Sequence, residues 1–216
     1  MEILKDIAKL SSGFQGKTSE GESFKQIKLK DLTKDGNINY EELESFNSGK
    51  VNEKYLLKKN DIILKAKSGD NTSALINKDV ENVVATSHFI VIRVKDENEI
   101  DPEYLTMYLN SEYAQNYFKS YREGTTIPII KLKILENLPI KKLDITKQKE
   151  LAKIYRLLNE EKETMQKLIE TRKKQFKVYL KNELGKGITK MTNINIEDVL
   201  GNVLDKGLNI LRIDFQ

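Results

Sequence analysis

The longest uninterrupted helical pattern in this sequence lies near its C-terminal end. From Thr146 to Leu184 the chain contains neither proline nor glycine, and the next glycine is Gly185. At 1.5 Å per residue, a helix of about 38 residues is roughly 55 Å long, which is more than a compact domain of this size needs. Such a helix is expected to pack on something outside its own domain.

Apolar residues follow one stripe of this helix with the spacing of an imperfect heptad. The stripe contains Leu151, Ile154, Leu158, Met165, Leu168, Phe176 and Tyr179. Glu161, Lys162 and Arg172 interrupt it. The helix can fold back across the rest of the chain or pair with another helix, and its length favours pairing. We therefore predict a dimerisation or partner-docking helix over residues 146–184.

Strand patterns dominate residues 25–95. KQIKLKDL alternates at period two, residues 35–37 (DGN) are typical of a turn, and INY resumes the alternation, so a hairpin is predicted. A second turn at residues 59–61 precedes the strand IILKAK, and NVVATSHFIVIRV is rich in β-branched residues around a polar break at residues 86–88. This part of the chain is predicted to be a β-rich domain.

Helical signals begin at Asp101-Pro102, where Asp is the N-cap and Pro the first helical residue. PEYLTMYLN and SEYAQNYFKSY predict two short helices, the second capped by Ser111. TTIPIIKLKILENLPI then predicts a loop and extended chain. The expected fold is α+β: a β-rich domain with short helices over 1–145, the long helix over 146–184, and a tail over 185–216 to which the sequence assigns no role.

Composition excludes several kinds of chemistry. The chain has no cysteine and one histidine, so neither a disulfide framework nor a Cys/His zinc site can form within it. No run of 18 or more apolar residues is present, and we expect a soluble, cytoplasmic protein. Residues 50–78 contain seven lysines and three acidic residues, and residues 119–149 contain eight Lys or Arg and three acidic residues. These stretches either contact phosphates or are ordinary solvated lysines.

The segment SSGFQGKT, residues 11–18, ends like a nucleotide-binding P-loop. That motif needs a glycine five residues before Gly16, where this chain has Ser11. The preceding MEILKDIAKL also lacks the apolar run of a buried strand. An NTP-dependent enzyme would rest on Gly16-Lys17-Thr18 alone and is disfavoured. Binding of another anion by this loop stays open.

The single histidine, His88, lacks a partner for catalysis or metal binding in the sequence. We predict that it lies at a strand edge beside Thr86 and Ser87, and we predict no catalytic residue and no metal site. The tyrosines of residues 104–121 have helical spacing, which is more typical of core packing than of a base-stacking platform.

The order of motifs resembles the DNA-specificity (S) subunit of type I restriction-modification systems. The motifs that carry the resemblance are, in order, LLKKNDIILKAKSGD, VATSHFIVIRV, IDPEYLTMYLNS, GTTIPIIKLKILENLPI and ITKQKELAKI. The box Asp101–Leu105 and the helix start with Gln148, Leu151 and Ala152 are its most specific parts. The resemblance covers residues 1–184 of the chain.

This resemblance implies a non-catalytic, sequence-specific DNA-binding subunit whose target recognition domain is residues 1–145. Full-length members carry two recognition domains and two helical spacers, whereas this sequence holds one of each. We therefore expect a half-subunit that forms a homodimer through the long helix and reads an inverted repeat. The implied partners are double-stranded DNA, methyltransferase (M) subunits and restriction (R) subunits, with no membrane. No cofactor is expected in this chain, because S-adenosylmethionine belongs to the M subunit.

Side chains that match phosphates and base edges cluster in loops of the predicted domain. The candidate DNA-contacting residues are Gln15, Lys17, Thr18, Lys65, Lys67, Ser68, Asn71, Ser73, Thr86, Ser87, His88, Arg122, Thr125, Thr126, Lys131 and Lys133. Lys65 and Lys67 are expected to face phosphates, and Asn71 to pair with an adenine edge. The alternative is a regulatory or decoy half-subunit that binds methyltransferase or specificity subunits without reading DNA.

Overall fold

The computed structural model describes residues 2–49, 51–121 and 129–184, with the side chain of residue 183 left out. Its strands are β1 (Glu2–Ile3), β2 (Ala8–Ser12), β3 (Ser19–Ile27), β4 (Glu44–Asn47), β5 (Ile62–Lys65), β6 (Ser73–Leu75), β7 (Val83–Ala85), β8 (Phe89–Val94) and β9 (Pro139–Ile140). Its α-helices are α1 (Leu4–Ile7), α2 (Pro102–Asn110), α3 (Glu112–Tyr121), α4 (Leu132–Glu136) and α5 (Ile145–Leu184). The predicted α+β fold, with a β-rich part and a long helix, is confirmed.

Two larger sheets carry the β-rich part. One has the strand order β2-β8-β5-β6 and is antiparallel throughout, and the other has the order β4-β3-β7. In the second sheet β3 pairs antiparallel with β4 and parallel with β7. A two-stranded pair, β1 with β9, joins the start of the chain to the segment before α5.

The middle of the four-stranded sheet is buried on both faces, and β5 is one of its two inner strands. Ile62 and Leu64 pack in one cluster with α2 and α3, whereas Ile63, which points to the other face, packs with β3 and β7. All four residues of β5 are buried. A strand enclosed on both faces is a continuous apolar run, which is why IILK reads as one strand in the sequence.

The charged interruption of β8, Arg93, is accommodated at the edge of this core. Its guanidinium donates to both carboxylate oxygens of Asp61, each at 2.6 Å, and Asp61 is 1% exposed. Asp61 also accepts a 2.8 Å hydrogen bond from the backbone N–H of Lys58. A bidentate pair with a further hydrogen bond satisfies the buried carboxylate, so the polar residues close the turn before β5.

The helical starts follow the sequence signals. Asp101 caps α2 by accepting a 2.8 Å bond from the N–H of Tyr104, and Pro102 is the first helical residue. The hydroxyl of Ser111 accepts from the N–H of Ala114 at 3.4 Å, which caps α3. Both predicted caps are confirmed, since each side chain satisfies an N–H that has no partner inside the helix.

Two local predictions are wrong. The strand predicted within 25–32 begins at Ser19 and ends at Ile27, and its antiparallel partner is β4. The DGN turn itself forms, with Leu32 bridging Ile38 and with the N–H groups of Thr33 and Asn39 donating to the carbonyls of Asn37 and Asp31 at 2.9 and 2.8 Å, but neither arm is a strand. The segment predicted as extended after Pro128 contains α4, whose Leu135 is fully buried. In both cases packing against the core overrides a local alternation of apolar residues.

The α5 helix has 40 residues and is about 60 Å long. Two compact units divide the chain, with the boundary between Arg156 and Leu157, inside α5. The predicted tail, residues 185–216, lies outside the described residues. Among the helices of the described ranges, none combines the length and the apolar character that crossing a membrane requires.

Candidate nucleic-acid interface

Two of the predicted contact loops meet around one turn, Thr86–His88, which connects β7 to β8. On one side, Phe14 forms a parallel bridge with Thr86, and its N–H donates to the carbonyl of Ala85 at 2.7 Å. On the other side, the carbonyl of His88 accepts from the N–H groups of Ala66 and Lys67 at 2.8 and 3.1 Å. The backbone of this turn therefore holds two loops side by side.

The third segment extends the same surface. The N–H of Ile130 donates to the carbonyl of Ala66 at 2.8 Å, and Lys67 forms a bridge with Ile129. Four segments that are far apart in sequence therefore lie side by side, in the order 13–18, 86–88, 65–68 and 129–133. We call these residues the loop surface. Their convergence is the geometric basis for treating them as one candidate site.

Most of the predicted contact residues on the loop surface are accessible. The exposed ones are Gln15, Lys17, Thr18, Lys67, His88, Lys131 and Lys133, and the half-buried ones are Ser68 and Ser87. Four of these side chains are lysines, and the partly exposed carboxylate of Asp70, further along the second loop, is paired with Lys65. Such a set can hold a polyanion through lysine ammonium groups and offer hydroxyl and amide groups for hydrogen bonds.

The first loop, residues 13–18, does not have the geometry of a nucleotide-binding loop. It follows β2 and leads directly into the strand β3. A P-loop needs a helix after the loop, because the phosphate lies on the helix N-terminus. The sequence argument against an NTPase therefore agrees with the structure, and Lys17 and Thr18 stay exposed on the loop surface.

Asn71 and Ser73, two of the predicted DNA-contacting residues, are not accessible in the structure. Both are fully buried. The amide of Asn71 donates to the carbonyl of Lys65 at 2.8 Å, and both the N–H and the hydroxyl of Ser73 donate to the side-chain oxygen of Asn110, at 2.8 and 3.1 Å. Their polar groups are used inside the domain, so neither side chain reaches a base edge in this conformation.

Lys65, predicted to face a phosphate, is also buried and has a partner inside the domain. Its residue is 5% exposed and its ammonium lies 3.4 Å from a carboxylate oxygen of Asp70. Partial burial by itself raises the pKa of Asp70, but hydrogen bonds from Thr72 and the charge of Lys65 outweigh it and hold that pKa below its usual range. Lys65 therefore neutralises a carboxylate of its own loop, and Lys67 is left as the exposed cation.

Thr86 is half-buried, and its hydroxyl is buried without a hydrogen-bond partner in the part of the chain that the structure describes. The Thr86 hydroxyl is therefore not accessible in this conformation, whereas Ser87 and His88 keep their accessible side chains. The remaining candidates, Arg122, Thr125 and Thr126, lie outside the described residues.

Two residues that support the loop surface have no individual signal in the sequence. Asn110, the last residue of α2, bonds both the N–H and the carbonyl of Ser73, at 2.8 and 2.9 Å, and so pairs with the edge of β6 as a strand would. Phe14 anchors the first loop against Phe46 and Tyr55, with ring centroids 5.6 Å apart in each pair. An aromatic residue between two glycines, GFQG, is the only sequence hint of this anchor.

The tyrosines of α2 and α3 are mostly structural. The hydroxyls of Tyr104, Tyr108 and Tyr117 donate to the carbonyls of residues 141, 139 and 134, at 2.7, 3.0 and 3.1 Å. Burial raises the pKa of Tyr108 to about 12. These bonds hold the segment before α5 on the helices, as core packing predicted, while Tyr113 and Tyr121 stay about half exposed.

Gln148, at the start of α5, is fully buried and fastens this helix to α2. Its side-chain oxygen accepts from the N–H of Asp101 at 3.0 Å, and its amide donates to the carbonyls of Glu99 and Leu143, both at 2.8 Å. The two most specific parts of the sequence resemblance are therefore in direct contact. No cluster of three or more potential metal ligands occurs within the ranges that the structure covers.

The α5 stripe lies largely in solvent in this single chain. Ile154, Leu158, Met165, Leu168 and Tyr179 are 55–60% exposed, whereas Leu151 and Phe176 are half-buried. Leu157, Ile169 and Val178 widen the apolar surface. Exposed apolar residues in this number on one helix are typical of a surface that another helix covers.

Comparison with known proteins gives a family and a fold. The family model described as "TaqI-like C-terminal specificity domain" matches residues 17–140. No curated protein matches the chain significantly in sequence. The matched range contains most of the loop surface together with the helices that support it.

Solved structures share the fold at low sequence identity. A type I restriction-modification system S subunit from M. genitalium is 18% identical, with 80% of this chain and 42% of that chain covered and a TM-score of 0.53. The HsdS subunit from Thermoanaerobacter tengcongensis is 15% identical, with 90% of this chain and 50% of that chain covered and a TM-score of 0.60. A chain from a type I R-M assembly is 13% identical, with 85% of this chain and 44% of that chain covered and a TM-score of 0.65. This chain spans half or less of the length of each.

Proposed function

Because this chain belongs to the TaqI-like C-terminal specificity domain family, we propose that its loop surface reads one half of a bipartite DNA site in a type I restriction-modification complex. The observation that carries the proposal is the convergence of residues 13–18, 65–68, 86–88 and 129–133 into one lysine-bearing surface. The lysines neutralise phosphates, and Gln15, Ser68 and Ser87 supply the hydrogen-bonding groups that base edges need.

We assign no chemistry to this chain. In the proposed complex, adenine methylation takes place in methyltransferase subunits that hold S-adenosylmethionine, and the role of this chain is to position them. The purified chain is expected to bind DNA in a salt-dependent manner and to transfer no methyl group from labelled cofactor. Methyl transfer by the chain alone contradicts this division of labour.

The long helix is proposed to pair with the same helix of a second copy. Glu160, Glu161 and Glu163 precede the centre of the apolar stripe, and a basic group, Arg172, Lys173, Lys174 and Lys177, follows it. In an antiparallel pair centred near Leu168, residues 160–163 (EEKE, net charge −2) of each copy lie opposite residues 173–176 (KKQF, net charge +2) of the other. The same register places Leu158 opposite Val178. Parallel pairing instead places each charged segment beside its own copy, so the net charge of the two segments favours the antiparallel dimer.

Such a dimer places two identical loop surfaces in two-fold symmetry. A protein that reads DNA in this way binds an inverted repeat, with half-sites separated by about one helical turn, roughly 34 Å, or a multiple of it. Leu168→Glu places two carboxylates at the dimer centre and is expected to give a monomer in sedimentation. Gln166→Glu adds the same charge two residues away and leaves the dimer intact. A dimeric Leu168→Glu variant contradicts the proposed pairing.

Selection of binding sites from random duplexes tests the reading function. Enrichment of an inverted repeat with a fixed spacer supports it. No enrichment, together with tight binding to methyltransferase subunits, supports the regulatory or decoy alternative instead.

A matched pair of lysines locates the contact surface. Lys67 follows the end of β5 on the loop surface, and Lys59 lies in the turn before its start, at the opposite end of the strand. Lys67→Ala is expected to lower the slope of log affinity against log salt by about one, as one lost phosphate contact predicts. Lys59→Ala should leave the slope unchanged, and equal effects contradict this placement.

A further inference from the structure

The start of the first loop is fixed by backbone contacts that leave no room for a side chain at Gly13. Its N–H donates to the carbonyl of Phe89 at 2.9 Å, and the next N–H, of Phe14, donates to Ala85. A Cβ atom on Gly13 would lie 2.2 Å from the carbonyl oxygen of Thr86. Because this oxygen belongs to the turn at the centre of the loop surface, the loop leaves β2 along one defined path.

Further along, the loop lies directly on the ring of Phe14. A Cβ atom on Gly16 would lie 2.4 Å from Cζ of that ring and 2.8 and 3.2 Å from its two Cε atoms. The glycine is needed for this close approach and not for an unusual backbone angle. Lys17 and Thr18 follow at once and are exposed.

The Phe14 ring is itself held in place. Phe14 is 8% exposed and packs between Phe46 and Tyr55, and Phe46 in turn packs on Phe24 at 5.7 Å. Val84 of β7, fully buried, completes the cluster. A ring enclosed on several sides by strands and other rings cannot swing away to admit a methyl group at position 16. The loop backbone has to move instead.

We infer that Phe14 and Gly16 are positioning residues that seat the first loop and thereby set which bases Gln15 and its neighbours read. This inference rests on the proposed DNA reading. Base contacts require the loop backbone in one place, whereas a lysine ammonium on a long side chain reaches phosphates from many backbone positions. Displacing the loop therefore removes sequence discrimination and preserves salt-dependent binding to any duplex.

Gly16→Ala tests this on the full chain with two duplexes, the selected site and a scrambled duplex. The expected result is a loss of about tenfold or more in the ratio of the two affinities, the size of one lost base contact, with an unchanged salt slope. Gly69→Ala is the matched control, because a Cβ atom there meets no atom within 4 Å. It should keep the wild-type ratio.

A second substitution separates positioning from simple damage. The three ring atoms that approach Gly16 are the ones that leucine lacks. In the double variant Phe14→Leu/Gly16→Ala the clash is removed, and the affinity ratio should recover relative to Gly16→Ala. Backbone amide resonances of residues 15–18 should shift in Gly16→Ala and return toward wild type in the double variant.

The outcomes are distinguishable. The inference is overturned if Gly16→Ala keeps the wild-type ratio of affinities, or if its affinity falls equally for both duplexes. It is also overturned if Phe14→Leu does not restore the affinity ratio in the double variant. Unshifted amide resonances in Gly16→Ala overturn it without any DNA present. If the wild-type chain itself binds both duplexes equally, the proposed function fails, and the amide resonances still decide whether the ring seats the loop.

Discussion

Two loops of similar composition reach the same surface and use their polar groups in opposite ways. The first loop, GFQGKT at residues 13–18, presents Gln15, Lys17 and Thr18 to solvent. The second, KAKSGDNTS at residues 65–73, turns Lys65, Asn71 and Ser73 inward. The difference teaches that a polar, glycine-containing loop indicates either binding or internal hydrogen bonding. The partners of its side chains, and not its composition, decide between them.

The largest expected effect comes from Asn71→Ala in the second loop. Losing a buried amide and its bond to Lys65 should lower the free energy of unfolding by about 2 kcal/mol. Thermal unfolding is then expected about 4–8 °C lower. DNA affinity, measured well below the transition, should stay within a factor of two. Gln15→Ala, an exposed amide of the first loop, should leave the melting temperature unchanged, and equal shifts contradict the contrast between the loops.

Lys17→Ala, unlike Asn71→Ala, should change DNA binding and leave stability nearly unchanged. Its ammonium is exposed, so stability is expected to change by less than about 0.5 kcal/mol. The slope of log DNA affinity against log salt should fall by about one. Titrations at several salt concentrations measure this slope. An unchanged slope means that the first loop is a plain surface turn.

Asp70→Asn tests the charge balance of the second loop through pH. The pKa of Asp70 lies below its ordinary value, so its charged form stabilises the fold above the unfolded pKa of about 3.9, and this stabilisation is lost as the pH falls through the folded pKa. At pH 7 the variant should be less stable by at most about 1 kcal/mol, because the half-exposed carboxylate is screened. The deficit should vanish in acid. A deficit independent of pH contradicts the ion pair with Lys65.

A small effect of the opposite sign, a gain in stability, is expected at Thr86, between the two loops. Thr86→Val replaces a buried hydroxyl that lacks a partner among the described residues, and it should raise stability by about 0.5–1 kcal/mol. DNA affinity should not change, because the hydroxyl is buried. Calorimetry and a binding titration check the two statements. Weaker DNA binding by this variant restores Thr86 as a contact residue.

Sequence reasoning succeeded where a signal is local. The caps at Asp101 and Ser111, the buried strand at residues 62–65 and the long helix follow from neighbouring residues in the chain, and each is present. It failed for Ser73, because its N–H and hydroxyl are bonded by Asn110 of α2, which lies 37 residues away. It failed for Lys65 and Asn71 because the folded loop turns them onto Asp70 and the Lys65 carbonyl, which no local pattern in the sequence indicates.

The sequence by itself determined the helix caps, the long helix and which family the order of motifs resembles, since capping, periodicity and motif spacing are properties of short stretches. Only the tertiary structure decided which polar residues reach the surface. That choice depends on hydrogen bonds between residues far apart in the chain, such as His88 to Lys67 and Ile130 to Ala66. A side chain is available for DNA only when no partner within the folded domain, near or far in the chain, has taken its hydrogen bonds or buried it.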